Sequence, residues 1–186
     1  MDAIVPVFIA VLLAETGGIV QHAAHHLGHQ FKGSAKTVIA LAIATVISLA
    51  VGAIGGRLVA TMVTFEARTL LAGLALVFAG VPMLFRVKGE RDLATTRPFF
   101  TSLLRFVRVQ FADASQFIVF AFAARANAPE LTLAAGFAAV MVAAVPPIIL
   151  FIEWPFAMPL AILRKIAAIM LTFAGLWLGV IALRLI

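Results

Sequence analysis

The sequence predicts an all-α integral membrane protein with six transmembrane helices arranged as two inverted three-helix repeats. Three observations carry that prediction: an extreme apolar composition, six apolar runs separated by short polar breaks, and a self-similarity at one fixed offset. Of the 186 residues, 64% are hydrophobic and 12% charged, and the mean hydropathy is +1.15. Soluble domains are about half apolar and about a quarter charged, so a water-soluble globule is excluded. A spanning helix takes about 20 apolar residues, so six of them leave about 66 residues for loops and no room for a separate soluble domain. The chain has no cysteine, which removes disulfides, thiolate metal sites and thiol chemistry. Its net charge of +6 does not point to nucleic acid. The basic residues sit mainly at the ends of apolar runs, where they report membrane topology.

The first run, 5–27, follows Met1-Asp2-Ala3, which lacks the positive stretch that opens a secretory signal, so a retained helix is expected. The other runs are 37–56, 69–85, 103–124, 131–152 and 160–183. Gly28, Gly33, Gly55-Gly56, Gly89, Pro98, Pro129, Pro155 and Pro159 fall between them or near their ends. Pro146-Pro147 lies inside the fifth run and is expected to kink it. The first, third and fifth connections carry Lys32, Lys36, Arg86, Lys88, Arg91, Arg97, Arg164 and Lys165, whereas the opposite side carries Arg57, Arg68, Arg125 and Arg184. This bias puts those three connections in the cytoplasm of a bacterial-type inner membrane and both termini outside. Residues 1–85 then form the first repeat, 86–102 a cytoplasmic linker, and 103–186 the second repeat, in one membrane domain.

Shifting the chain by 95 residues superposes the halves without a gap. Gln21 falls on Gln116, Thr37 on Thr132, Ala40 on Ala135, Ala44 on Ala139 and Ile54 on Ile149. Ala72 and Leu76 fall on Ala167 and Leu171, and Phe78-Ala79-Gly80 falls on Phe173-Ala174-Gly175. Three spans per repeat is an odd number, so the halves are expected to insert in opposite orientations, a transporter architecture with its substrate held near the midplane.

Glu15 lies near the middle of the first span and Asp113 near the middle of the fourth, the spans that open the two repeats. A charge at the bilayer centre costs about 2.5–3.5 kcal/mol on insertion scales, so neither is expected to face lipid. Gln21, Gln110, Ser115 and Gln116 lie close in sequence and offer neutral oxygens. One account is a hydrogen-bonded clamp between helices, the other an ion site; intramembrane carboxylates favour the ion site. On a straight helix, His22, His25, His26 and His29 share a face with Glu15 and Gly18, a stripe from the midplane to the cytoplasmic end. Imidazoles there could handle a transition metal or protons, or simply be wet residues at a helix end. The spacing His22-x-x-His25-His26 also matches a histidine box of membrane di-iron oxygenases. Those sites use about eight histidines and this chain has four, so an oxygenase is excluded. Arg105 is expected to snorkel to the headgroups, Arg108 to face away from Asp113, and Glu66, Arg68, Glu90, Arg91 and Asp92 to be solvated loop charges. Trp154 and Trp177 fit interfacial anchoring or packing.

Two motifs, one opening each half, resemble the Gdt family of cation exchangers in the lysine-exporter superfamily, whose pattern is Glu-x-Gly-Asp-(Lys/Arg)-(Thr/Ser)-Gln. The first copy reads Glu15-Thr16-Gly17-Gly18-Ile19-Val20-Gln21 and the second Gln110-Phe111-Ala112-Asp113-Ala114-Ser115-Gln116. Phe120-Ala121-Phe122-Ala123-Ala124-Arg125 resembles that family's alanine-rich helix end. Gly18 stands where the family has Asp, Gln110 where it has Glu, and Ile19 and Ala114 where it has a base. The two remaining acids still give a charge that matches one divalent cation. The resemblance implies exchange of manganese or calcium against protons, with Glu15, Asp113, Gln21, Gln110, Ser115 and Gln116 about the cation; the histidines extend beyond the family pattern and suggest a changed metal preference.

The sequence therefore points to a secondary transporter of a divalent cation rather than an enzyme. No cofactor is expected beyond the cation as substrate. The expected partners are the cation, protons and the lipid bilayer, with a homo-oligomer left open. Two other classes remain: a non-transporting membrane metal sensor or partner subunit, and an amino-acid exporter of the wider superfamily.

Overall fold

In the computed structural model, residues 4–85, 98–111, 113–150 and 160–184 are described. Met1-Asp2-Ala3, Arg86, Lys88, Gly89, Glu90, Arg91, Asp92, Arg97, Ala112, Trp154, Pro155 and Pro159, which entered the sequence argument, lie outside those residues. Eight helices are present among the described residues: α1 (Ile4–Glu15), α2 (Ile19–Gln30), α3 (Ala35–Ala60), α4 (Phe65–Met83), α5 (Pro98–Gln110), α6 (Ala114–Arg125), α7 (Pro129–Ile149) and α8 (Leu160–Ala182). No strand occurs among them. Helices α3, α4, α7 and α8 are each long and apolar enough to cross a membrane. The pairs α1–α2 and α5–α6 pass the same test together, giving four to six candidate spans.

The largest departure from the sequence expectation is in those pairs. The runs 5–27 and 103–124 are not continuous helices: α1 and α2 meet at 61° and α5 and α6 at 58°, each across a short break. The second half also starts earlier than expected, because α5 opens at Pro98, inside the 86–102 stretch assigned to a linker. Proline at a first helical position has its φ preset and loses no hydrogen bond. Pro129 does the same for α7.

Small residues are enriched inside. On α3 the inward face carries Thr37, Ala40, Ala44, Thr45, Ser48, Gly52, Ala53 and Gly56 beside two leucines, Leu41 and Leu49. The outward face carries Ile39, Ile43, Val46, Ile47, Val51 and Ile54. On α8, Ile162, Ile166, Ile169, Phe173, Leu176 and Trp177 are exposed. In lipid there is no hydrophobic gain in burying a large apolar side chain, so small residues that let backbones approach take the interfaces.

Close approach recurs between α4 and α8. A Cβ at Gly73 would lie 2.7 Å from the Gly175 carbonyl oxygen, and one at Gly80 would lie 2.7 Å from that of Ala168. Under the 95-residue shift Gly73 maps to Ala168 and Gly80 to Gly175, so these two contacts are copies of each other. The repeated Phe-Ala-Gly motif is thus a packing motif: its glycine seats the backbone of the opposite half's last helix.

Pro146 and Pro147 lie in the last turn of α7, which ends at Ile149 with Leu150 capping onto the Pro146 carbonyl. Proline has no N–H, so Pro147 leaves the Ala143 carbonyl without its helical donor. That vacancy is filled from the first break, as described next.

Candidate cation site at the two helix breaks

Glu15 is the last residue of α1, and Gly18 N-caps α2 with Thr16 and Gly17 between. Gly17 has φ +64°, a left-handed conformation that only glycine adopts freely. Two adjacent glycines weaken a helix by about 1 kcal/mol each, which makes this the point where the run breaks. The second break has no glycine. There Asp113 is the N-cap of α6, with extended backbone at φ −78° and ψ 163°, a position acidic residues favour. The backbone N–H groups of Ala114 and Ser115 face its carboxylate, though the side chain closes no capping hydrogen bond. Both breaks fall at the same register, since Gly18 and Asp113 differ by the 95-residue offset.

The breaks meet. Glu15 is 2% exposed, and Ser115, from the first turn of α6, donates its hydroxyl proton to Oε1 of Glu15 at 2.6 Å. Asp113 is half-buried and close enough to Glu15 for the two carboxyls to interact electrostatically. Two acids and a hydroxyl, drawn from opposite halves of the chain, therefore lie about the two facing breaks.

The amides brace this arrangement. Gln21 accepts from the Gly17 N–H at Oε1 (2.8 Å) and donates from Nε2 to the Ala143 carbonyl (2.9 Å). It thus fills the vacancy that Pro147 creates, in the way polar side chains re-satisfy broken membrane helices. Gln116 donates from Nε2 to the Ser48 carbonyl at 3.0 Å. Gln116 and Ser48 are the 95-residue images of Gln21 and Ala143, so each half's glutamine grips the long helix of the other half at the same register. Gln110 donates to the Thr45 hydroxyl at 3.0 Å, and its carbonyl accepts from the Ser48 hydroxyl at 2.9 Å. Gln21, Gln110 and Gln116, expected to offer oxygens to a cation, make bonds that brace the breaks.

The histidines lie on α2, beyond the first break. The 61° bend interrupts the straight-helix face that linked Glu15 to His22, His25, His26 and His29. His22 and His29 are exposed, His25 and His26 half-buried, and α2 buries Val20, Gln21, Ala23, Ala24, Leu27 and Gly28 instead. His22 donates from Nδ1 to the Gly18 carbonyl at 2.9 Å, because a carbonyl can only accept. His26 Nδ1 accepts from the Arg105 guanidinium at 3.3 Å. Arg105 does not snorkel outward: it is 4% exposed. Among the described residues no three His, Asp or Glu side chains converge as a metal-binding group.

Three polar residues were not singled out for the site in the sequence. Thr45 and Ser48 hold Gln110 from α3, and their signal was a polar pair three residues apart in an apolar run. Arg164, assigned there to topology, reaches the first break and donates to the Gly17 carbonyl. At the end of the bundle where α1 and α4 begin and α8 ends, a largely apolar cavity of about 690 Å³ runs from Ile4, Phe65, Arg125 and Trp177 inward to Leu13 and Leu76. Leu13 stands two residues before Glu15. Comparison with known proteins returns no match to this chain among family models, curated proteins or solved structures.

Proposed function

We propose that the protein is a secondary transporter of a divalent cation, manganese or calcium by the motif resemblance, moved in exchange for protons across a bacterial-type inner membrane. The observation that carries the reading is the meeting of Glu15 and Ser115, with Asp113 beside them, where two helix breaks face each other. Transporters hold cations at the midplane with carbonyls freed at broken helices, and acidic residues within spans mark ion pathways. In this reading α1–α2 and α5–α6 each make one span, the halves are inverted repeats, and both termini are outside. The reciprocal contacts Gln21 with Ala143 and Gln116 with Ser48, and Gly73 with Gly175 and Gly80 with Ala168, support that symmetry.

The cation would take the two carboxylates, the Ser115 hydroxyl and carbonyl oxygens freed at the breaks. Oxygen donors of this kind suit Mn²⁺ or Ca²⁺ over softer ions. Protonation of the same carboxylates would supply the counter-transport: a site cannot hold the cation and the protons together. Rocking of one half against the other would expose the site to each side in turn.

The test is flux of Mn²⁺, Ca²⁺ and Zn²⁺ into proteoliposomes carrying a pH gradient, for the parent and Asp113→Asn. Gradient-driven flux that Asp113→Asn abolishes supports the reading. No flux of any of the three by folded protein moves the assignment to a membrane metal sensor or partner subunit.

A further inference from the structure

Arg164 stands in the second turn of α8, and each guanidinium nitrogen is engaged with a main-chain carbonyl. Nε donates to Met83 at 2.7 Å and Nη2 to Phe85 at 3.1 Å, both at the C-terminal end of α4. Nη1 donates to Gly17 in the α1–α2 break. The carbonyls at the end of a helix have no donor within it, and a forked cation suits such a cluster. The aliphatic stem lies on Gly17, where an added Cβ would come within 3.2 Å of Cδ and 3.3 Å of Cβ of Arg164. Gly17 is thus required both for its φ of +64° and for the room it leaves to this side chain.

The position is not duplicated. Under the 95-residue shift Arg164 maps to Thr69, whose hydroxyl bonds within its own helix to the Phe65 carbonyl at 3.0 Å. The cavity of about 690 Å³ approaches the break from the end where α4 begins and α8 ends. Arg164 ties the break to the other end, where α4 ends and α8 begins.

We propose that Arg164 is the positioning residue of the first break and the closure of the cation site on the side where α4 ends, so that the site is approached from the cavity side alone. Its consequence for transport rests on the function proposed above; the closure itself does not.

The chain has no cysteine, so a single Thr16→Cys, in the break itself, reports access cleanly. Protein of known orientation in sealed vesicles is treated with a charged, membrane-impermeant methanethiosulfonate on one side or the other. The expected result is reaction from the cavity side only. Arg164→Gln adds reaction from the opposite side, faster by about tenfold or more, the factor expected from losing hydrogen bonds to a charged donor. Arg164→Lys, which keeps the charge and one donor group, gives an intermediate rate and decides the matter if Arg164→Gln does not fold. Reaction from both sides or from neither in the Thr16→Cys protein, or an opposite-side rate unchanged by either substitution, overturns the closure. Mn²⁺ release from loaded vesicles is measured in parallel, and Arg164→Gln is expected to leak Mn²⁺ without an opposing proton gradient. If the parent moves no Mn²⁺ while the labelling pattern holds, the transport reading fails and the closure stands.

Discussion

Ser115 donates to Glu15 across 2.6 Å although the two residues are 100 positions apart in the chain. The bond joins the end of α1 to the start of α6, so it ties the two helix breaks together and couples the halves at the one place where both are unwound.

That bond separates folding from function. Ser115→Ala strips a buried carboxyl of its hydroxyl partner and is expected to cost about 1–3 kcal/mol, seen as a lower Tm in detergent, with Ser115→Thr restoring part of it. Glu15→Gln keeps an oxygen acceptor for Ser115, so its Tm should stay near the parent's. Its Mn²⁺ flux should fall about 100-fold or more, the loss of one charged ligand worth roughly 3 kcal/mol. Equal flux in Glu15→Gln and the parent would falsify the site.

Gln21 and Pro147 bear on the same carbonyl, that of Ala143. Gln21→Leu leaves the Ala143 carbonyl and the Gly17 N–H without their partner and should destabilise by about 1–3 kcal/mol. Pro147→Ala provides the N–H that the Ala143 carbonyl lacks. The double substitution is therefore expected to cost less than the sum of the singles, by about 0.5–3 kcal/mol in a double-mutant cycle. Simple additivity would mean that the carbonyl is satisfied some other way.

The glycines of α4 and α8 divide by what surrounds them. Gly73→Ala puts a methyl 2.7 Å from the Gly175 carbonyl and should separate the two helices, with overpacking of about 1–3 kcal/mol. Gly179→Ala meets nothing within 4 Å and should be neutral or stabilising by about 0.5–1 kcal/mol. Thermal unfolding of the two variants, side by side, distinguishes a packing motif from a general intolerance of helix substitutions.

Arg105 offers a further check, because its burial contradicts the usual placement of a cation near a helix end. It is 4% exposed and reaches His26 at 3.3 Å. His26→Phe removes that acceptor from a buried charge and is expected to destabilise by about 1–3 kcal/mol. His29→Phe, at an exposed position, should change Tm little. Matching Tm losses for the two would mean that Arg105 does not depend on His26.

The path of the chain was legible because bilayer thickness and apolar run length are linked by simple geometry. The long helices α3, α4, α7 and α8 sit within a few residues of the expected runs 37–56, 69–85, 131–152 and 160–183. The breaks in α1–α2 and α5–α6 were missed because hydropathy averages across them: each pair passes as one apolar span when its two helices are taken together. Gly17-Gly18 was the available signal in the first pair, and Asp113, a helix-capping residue inside an apolar run, in the second. Reading the first run as a straight helix then carried the histidines onto the Glu15 face, which the bend undoes.

What the sequence by itself determined is the class of the molecule, its internal offset, and the residue types worth attention: composition, periodicity and a buried acid are local facts. What only the tertiary structure decided is which of those residues work together. Glu15 meets Ser115 rather than the histidines, and Gln21 grips Ala143 while Gln116 grips Ser48. Arg164, read from sequence as a topology marker, ends on the Gly17 carbonyl. The bonds to Glu15, Ala143 and Gly17 answer a charged or main-chain group left unsatisfied at a break or a proline. In a low-dielectric interior such groups must find partners wherever the fold brings them, and that address is not written in any neighbouring residue.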